Sequence, residues 1–268
     1  MKTIIVATDF SAEAENALNY AASFAQKVGA RIIIFNSFTI PSHFGNSLLP
    51  AEALIGLEEE NQELLKLKCE SLASRFGIET HYESSMMSEV PEELKWLYKK
   101  YEADLIVMGM TEKALDQDLF GNTTTSAIRK HSYPVLTVPP EAKFNGIRNI
   151  LFAYDDVVEG RQQISDKIKL LADFFKAKIE IFHVNRNLKK ECSRTILQEF
   201  EGSDYDFKEI KSDMILNEIR QEIKTLPADL LVMIPQKYNF WESIIHRSKT
   251  RIMASESAIP VLSIPLTS

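Results

Sequence analysis

The stretch TIIVATD, residues 3–9, and the stretch NILFAYD, residues 149–155, are each a short apolar run that closes on Ala, one further residue and Asp. Two later pairs recur in the same order, ADLIVM (103–108) with ADLLVM (228–233) and YPVLTVP (133–139) with IPVLSIP (259–265). The aspartates are 146 residues apart (155 − 9), whereas the later pairs are 125 and 126 residues apart. This recurrence predicts two diverged copies of one domain, the second lacking a segment that corresponds to the loop around 41–50.

Each copy alternates strand-like runs with helical periodicity, the pattern of βαβ units and a parallel sheet. In the first copy, Ser11 is placed to cap a helix and Gly29 to end it. The predicted fold is therefore α/β, with two open five-stranded parallel sheets that carry helices on both faces. The predicted domains are 1–140 and 147–268, joined by the turn-rich linker PPEAKFNG at 139–146.

The composition limits the classes of function. The chain has 268 residues, 45% of them hydrophobic, which is enough to bury a core in each domain. Its net charge of −7 argues against a general nucleic-acid binder, which needs a basic surface. No stretch approaches the roughly 18 apolar residues of a membrane span, so we expect a cytoplasmic protein. Cys69 and Cys192 lie far apart and show no pattern of a disulfide framework or a metal site.

The end of the first strand is one candidate for chemistry. In an open parallel sheet, ligands bind beyond the carboxyl ends of the strands. Ala7, Thr8 and Asp9 stand at such an end, where the Asp9 carboxylate could accept a hydrogen bond from a ribose or an adenine. The alternative interpretation is an Asx turn or a cap for the next helix. The sequence leaves both interpretations open.

The segment from Gly109 to Thr125, GMTEKALDQDLFGNTTT, is the second candidate. Gly109 permits close backbone approach where the fourth strand ends, and Gly121 permits a turn into the last helix of the copy. Asn122, Thr123 and Thr124 then place polar groups and free N–H groups at the predicted helix N-terminus, which is a favourable seat for phosphate. The alternative is that Gly121 is only a turn residue and Asn122 only a helix cap.

These motifs together resemble the universal stress protein family, in a tandem form with a degenerate second domain. The family pattern is G-2x-G-9x-G-S/T before a helix and a PVLVV-like strand, and FGNTTTSAIRKHSYPVLTVP at 120–139 follows its end. The resemblance implies a Rossmann-like topology of the adenine nucleotide α-hydrolase type and binding of ATP, with magnesium as a further expected component. It implies a nucleotide site with these members: Ala7, Thr8, Asp9, Phe38, Met108, Gly109, Gly121, Asn122, Thr123 and Thr124.

The chain departs from the family pattern at several positions. Glu112 stands where the second motif glycine belongs, and the interval to Gly121 is one residue short. In the second copy, Ile234 takes the position of Gly109 and Arg247 that of Gly121. Because a β-carbon and a long side chain would occupy the phosphate seat there, we expect nucleotide binding in the first copy alone.

Two functional hypotheses remain. One is a stress-response protein that binds ATP and acts as a regulator or sensor, with slow ATP hydrolysis as its greatest expected enzymatic activity. The other is a scaffold or sensor that binds no nucleotide and holds a small ligand or a protein at the aromatic run 238–241 of the second copy. For assembly, we expect the edge strands 135–138 and 261–264 to form an internal pseudo-dimer, with a homodimer as a further partner arrangement.

Overall fold

The computed structural model describes residues 1–38, 51–86, 90–110, 133–154, 161–185, 195–234 and 259–265. Strands and helices alternate along the chain, as the sequence predicts. The first elements are β1 (Thr3–Ala7), α1 (Ala12–Val28), β2 (Arg31–Ser37), α2 (Ala51–Phe76), β3 (Thr80–Ser85), α3 (Val90–Lys100), β4 (Leu105–Gly109) and β5 (Val135–Val138). The later ones are β6 (Asn149–Tyr154), α4 (Arg161–Phe175), β7 (Lys178–Asn185), α5 (Thr195–Glu199), β8 (Tyr205–Lys211), α6 (Ile215–Thr225), β9 (Leu230–Met233) and β10 (Val261–Ser263).

The chain divides into two compact units. The first comprises Met1–Thr111 and Thr137–Phe144, and the second comprises Glu112–Leu136 and Asn145–Ser268. In the first unit the strand order is β3-β2-β1-β4, and the pairs β1–β2, β1–β4 and β2–β3 are parallel. The N–H of Met110 donates to the carbonyl of Val138 at 2.9 Å, which places β5 beyond β4.

In the second unit the strand order is β8-β7-β6-β9-β10, and its paired strands are also parallel. When the strands are numbered within each half of the chain, this order is the same as in the first half. The α/β fold with a largely parallel sheet is therefore confirmed. Among the described helices, none has the length and apolar character needed to cross a bilayer.

Helix α1 forms where its capping residues predict it. The Ser11 hydroxyl accepts a hydrogen bond from the N–H of Ala14 at 3.2 Å, and Gly29 ends the helix with a left-handed φ of 69°. Gly29 suits this position because it has no β-carbon to clash. The buried face of the helix is apolar and includes Leu18, Ala21 and Ala25, so α1 packs on the sheet along one stripe, as expected from its periodicity.

In each half, one aspartate joins the amino ends of two neighbouring strands, a contact called the aspartate clasp below. The Asp104 carboxylate, just before β4, accepts hydrogen bonds from the N–H groups of Lys2 and Thr3 at 2.6 and 3.1 Å. The Asp229 carboxylate, just before β9, accepts the corresponding bonds from Arg148 and Asn149 at 2.8 and 3.0 Å. Each aspartate satisfies two backbone donors that precede the ladder of its neighbouring strand.

The second half is shorter than the first between its second and fourth strands. The sequence analysis assigns the missing segment to the loop around 41–50, which lies outside the described residues. Within the described residues, the helix after the second strand has 26 residues in the first half (α2) and 5 in the second (α5).

We predict that Asp104→Ala and Asp229→Ala each lower the free energy of unfolding of their own unit by about 1–3 kcal/mol, because two N–H groups lose a charged acceptor. Urea denaturation of the full chain measures the effect. Asp173→Ala, on the exposed side of α4, is the control and should change stability by less than about 0.5 kcal/mol. An Asp104 variant as stable as this control would contradict the role of the clasp.

Candidate functional site

The carboxyl ends of β1, β2 and β4 meet at one edge of the first unit. Val6 lies opposite Val107, and Ala7 lies opposite Phe35. By the same registers Thr8 follows β1 beside the end of β4, and Phe38 directly follows β2. The structure therefore brings together the part of the predicted nucleotide site that falls on the strand ends.

The turn from Thr8 to Ser11 is held by its own hydrogen bonds. The N–H of Phe10 donates to the Thr8 hydroxyl at 3.0 Å, and the N–H of Ser11 donates to Asp9 Oδ1 at 3.0 Å. Phe10 adopts a left-handed φ of 61°, which is uncommon for a residue with a β-carbon. The Asx turn considered for Asp9 is thus present. This turn uses one oxygen of the Asp9 carboxylate. Because a carboxylate has two oxygens and several lone pairs, Asp9 can still accept a hydrogen bond from a ligand.

Asn36, near the end of β2, is a member of this site that the sequence analysis missed. Its side chain is 4% exposed, and its Nδ2 donates to the carbonyl of Thr8 at 2.7 Å. Its Oδ1 is buried and has no hydrogen-bond partner among the described residues. The available signal was a single amide inside the apolar run RIIIFNS. Since a buried amide is normally satisfied, Asn36 marks this strand end as a polar position.

Gly109 lies where the backbone of another element comes close. A β-carbon at this position would lie 2.8 Å from the carbonyl oxygen of Glu13 and 2.9 Å from its carbonyl carbon. The backbone that approaches Gly109 is therefore the first turn of α1, a partner that the sequence alone does not identify. This packing brings the amino end of α1 against the exit of β4.

The remaining predicted residues differ in exposure. Met108 is 5% exposed and belongs to the core, so its side chain is shielded. Ala7 and Phe38 are half-buried, and Asp9 is exposed. The N–H of Phe38 donates to the carbonyl of Ser85 at 3.0 Å, which fixes its backbone beside β3.

The predicted phosphate segment lies outside the described residues. This applies to Glu112, Gly121, Asn122, Thr123 and Thr124. It applies equally to Arg247 and to the aromatic run 238–241 of the second half.

The same edge of the second unit carries aromatic rings. His183, near the end of β7, lies 3.3 Å from the carbonyl of Tyr154 through Nδ1 and stacks on the Tyr154 ring with centroids 4.7 Å apart. Because a carbonyl only accepts, the Nδ1 atom carries the hydrogen. His183 thus makes to Tyr154 the contact that Asn36 makes to Thr8 in the first unit. Ile234, 7% exposed, stands at the exit of β9.

The thiol of Cys69 is a poor candidate for chemistry. Burial raises its pKa above the ordinary value, which outweighs the opposing effect of the hydrogen bond to Thr80. A thiol that stays protonated near neutral pH is a weak nucleophile. Within the described ranges, no group of three or more His, Cys, Asp or Glu residues is arranged to hold a metal ion.

We predict that Gly109→Ala destabilises the first unit, because the new β-carbon would collide with the backbone of α1 and force the helix to move. The expected loss is about 1–3 kcal/mol by thermal or urea unfolding. Gly56→Ala is the matched control: nothing lies within 4 Å of its β-carbon, and α2 should gain about 0.5–1 kcal/mol. If Gly109→Ala behaved like Gly56→Ala, the close packing against Glu13 would be refuted.

Comparison with known proteins gives the relationships of the chain. The model of the universal stress protein family matches residues 1–139. A universal stress protein from Archaeoglobus fulgidus DSM 4304 is similar in structure, with a TM-score of 0.73 and 16% identity over 99% of this chain and 97% of that chain. A functionally unknown protein from Pseudomonas aeruginosa PAO1 has a TM-score of 0.54 and 13% identity over 99% of this chain and 93% of that chain.

A third similar structure is a universal stress protein in complex with cAMP, with a TM-score of 0.40 and 20% identity over 52% of this chain and 98% of that chain. No curated protein matches the sequence. The full-length likenesses show the fold. The family model covers more than half of the chain, and the protein therefore belongs to the universal stress protein family.

Proposed function

We propose that the protein binds ATP, or a related adenine nucleotide, with magnesium at the carboxyl ends of β1, β2 and β4, and that it acts as a regulator or sensor in a stress response. The observation that carries this proposal is the fixed turn from Thr8 to Ser11, which holds the exposed Asp9 carboxylate at the edge of the sheet. This is the edge at which open parallel sheets bind ligands.

Three contacts support a preorganised site. The Asn36 amide donates a hydrogen bond to the Thr8 carbonyl, and the N–H of Thr8 donates to the Phe35 carbonyl at 2.8 Å. Gly109 lets α1 begin close to the exit of β4. A carboxylate fixed in this way can accept hydrogen bonds from ribose hydroxyls without first losing rotational freedom, which lowers the entropic cost of binding.

The phosphates are assigned to the segment that contains Gly121, Asn122, Thr123 and Thr124. The support here is the sequence alone. A glycine followed by hydroxyl residues at a predicted helix N-terminus supplies backbone N–H groups and a favourable dipole for an anion. The charge of Glu112 in the same segment opposes this and is expected to limit the affinity.

The proposal assigns one live site to each chain and describes 147–268 as a degenerate second domain. At the corresponding edge, Tyr154 and His183 are 6% and 1% exposed, and their rings stack on each other. These groups support the view that the space used by a nucleoside in the first domain is filled in the second. The domains of the proposal are 1–140 and 147–268, with an internal pseudo-dimer as the expected arrangement.

Calorimetric titration of ATP with magnesium into the full chain tests the proposal. We expect about one nucleotide per chain, and Gly121→Trp should abolish the heat because an indole would occupy the phosphate seat. Asp9→Ala should weaken binding roughly 10-fold to 100-fold, the effect of losing a charged hydrogen bond. Slow ATP hydrolysis, if present, should be lost with the same variants.

Arg247→Trp is the matched control, since it places the same indole at the corresponding position of the second half and should leave binding unchanged. Absence of both heat and a thermal shift in the parent chain would favour the scaffold hypothesis. Two equivalents of nucleotide would show that the second half binds as well. Loss of binding in Arg247→Trp alone would show that the live site lies in the second half.

A further inference from the structure

Two carboxyl groups face each other inside the second unit, between the sheet and α6. Glu180 lies on β7 and is half-buried, and its Oε1 is buried with no N–H or O–H donor among the described residues. Its side chain lies within hydrogen-bonding reach of the Glu222 carboxyl, so a bond between the two needs a proton on one of them. Glu222 lies on α6 and is 6% exposed, and its Oε2 accepts a hydrogen bond from Lys208 Nζ on β8 at 2.5 Å. The Thr225 hydroxyl lies 3.4 Å from the other Glu222 oxygen. Lys208 therefore pairs with Glu222, and its charge also acts on Glu180.

The corresponding position of the first unit is apolar. Ile33 lies between Ile5 and His81 in the register of β1, β2 and β3, as Glu180 lies between Leu151 and Asp206 in that of β6, β7 and β8. Helices α3 and α6 each have 11 residues, and Leu97 in α3 has the place of Glu222 in α6. Ile33 and Leu97 are fully buried. Where the first unit packs hydrocarbon, the second unit packs a pair of acids.

Burial of the Glu180 carboxyl, more than the charges around it, favours its protonated form. Burial raises its pKa to about 7, and the hydrogen bond and negative charge of Glu222 act in the same direction. Lys208 opposes them, and Asp206 on β8 adds a smaller increase. From its own strand, Lys178 is engaged with Asp206 at 2.6 Å. The neighbour on β6, Leu151, carries no charge.

We propose that the Glu180–Glu222 pair is a proton-dependent clamp, which holds α6 on the sheet of the second unit while one proton is shared and weakens as the pH rises toward neutrality. With the proton present, the two carboxyl groups attract each other across the interface. Without it, a half-buried and a buried carboxylate lie beside Lys208, the one cation that the described residues place against both. Nothing in this device depends on nucleotide binding by the first unit.

The direction of the effect follows from proton linkage. In the native state the Glu180 carboxyl holds its proton up to about pH 7, whereas an exposed glutamate releases it near its ordinary pKa of 4.5. The native state therefore binds the extra proton between these values, and the stabilisation is lost as the pH rises through that window. Below about pH 4.5 the stabilisation is fully present. The equilibrium constant for local opening of α6 should rise several-fold between about pH 5.5 and about pH 7.5, less than the full shift would give, because Glu180 is only half-buried and water screens the pair.

Hydrogen exchange of the full chain, followed by mass spectrometry at these two pH values and corrected for intrinsic exchange rates, tests the clamp. Peptides of α6, Ile215–Thr225, should lose protection at the higher pH by about the factor given above. Peptides of α3, Val90–Lys100, are the internal control, because Leu97 and Ile33 do not titrate. Their corrected protection should stay constant.

Glu180→Gln keeps the shape of the side chain and a donor for Glu222 but cannot titrate, so it should remove the pH dependence of α6. A second variant, Glu180→Ile with Glu222→Leu, copies the first unit and should give the same result with an apolar interface. Equal protection of α6 at both pH values in the parent chain would overturn the proposal. So would an unchanged pH dependence in both variants.

Discussion

The bond between the Asp104 carboxylate and the first backbone N–H groups of the chain fixes the register of β1 against β4, and the rest of the first unit depends on that register. The N–H of Asp104 also donates to the Thr3 carbonyl at 2.9 Å, so the two strands are joined in both directions where they begin. Because parallel strands advance together, the same register brings Thr8 to the exit of β4 at the other end. The position of the candidate site thus follows from a clasp at the opposite edge of the sheet.

The two halves share one strand order but place their polar groups differently. In the first unit, polar groups are concentrated at the carboxyl edge, where Asn36 holds the Thr8 carbonyl and Asp9 reaches solvent. In the second unit that edge is filled by the stacked rings of Tyr154 and His183, and buried charge is found instead between β7 and α6. Burying an acid costs free energy unless it is neutralised or paired. The second unit nevertheless keeps the Glu180–Glu222 pair where the first unit has the apolar residues Ile33 and Leu97. This difference is the basis for assigning the pair a role.

Much of the fold could be predicted from the sequence because its signals are local. Ser11 and Gly29 bound α1 as capping chemistry requires, and the strand runs were recognised from their apolar residues. The candidate site could be predicted less fully from the sequence. Asn36 and Glu180 each sit inside an apolar run, and only tertiary structure shows which groups they meet. Gly109 was recognised as a position of close approach, but its partner, the backbone at Glu13, is distant in sequence.

The opening of α6 is expected to remain local, because the segment that follows it is held independently. The N–H of Leu226 donates to the Glu222 carbonyl at 2.8 Å at the end of the helix. Only three residues later, the Asp229 carboxylate holds the amino end of β6, and β9 then enters the sheet beside that strand. None of the Asp229 bonds involves the Glu180–Glu222 pair. Loss of the shared proton therefore weakens the docking of the helix while the clasp retains the strand, and this separation lets a buried acid act as a switch without unfolding the sheet.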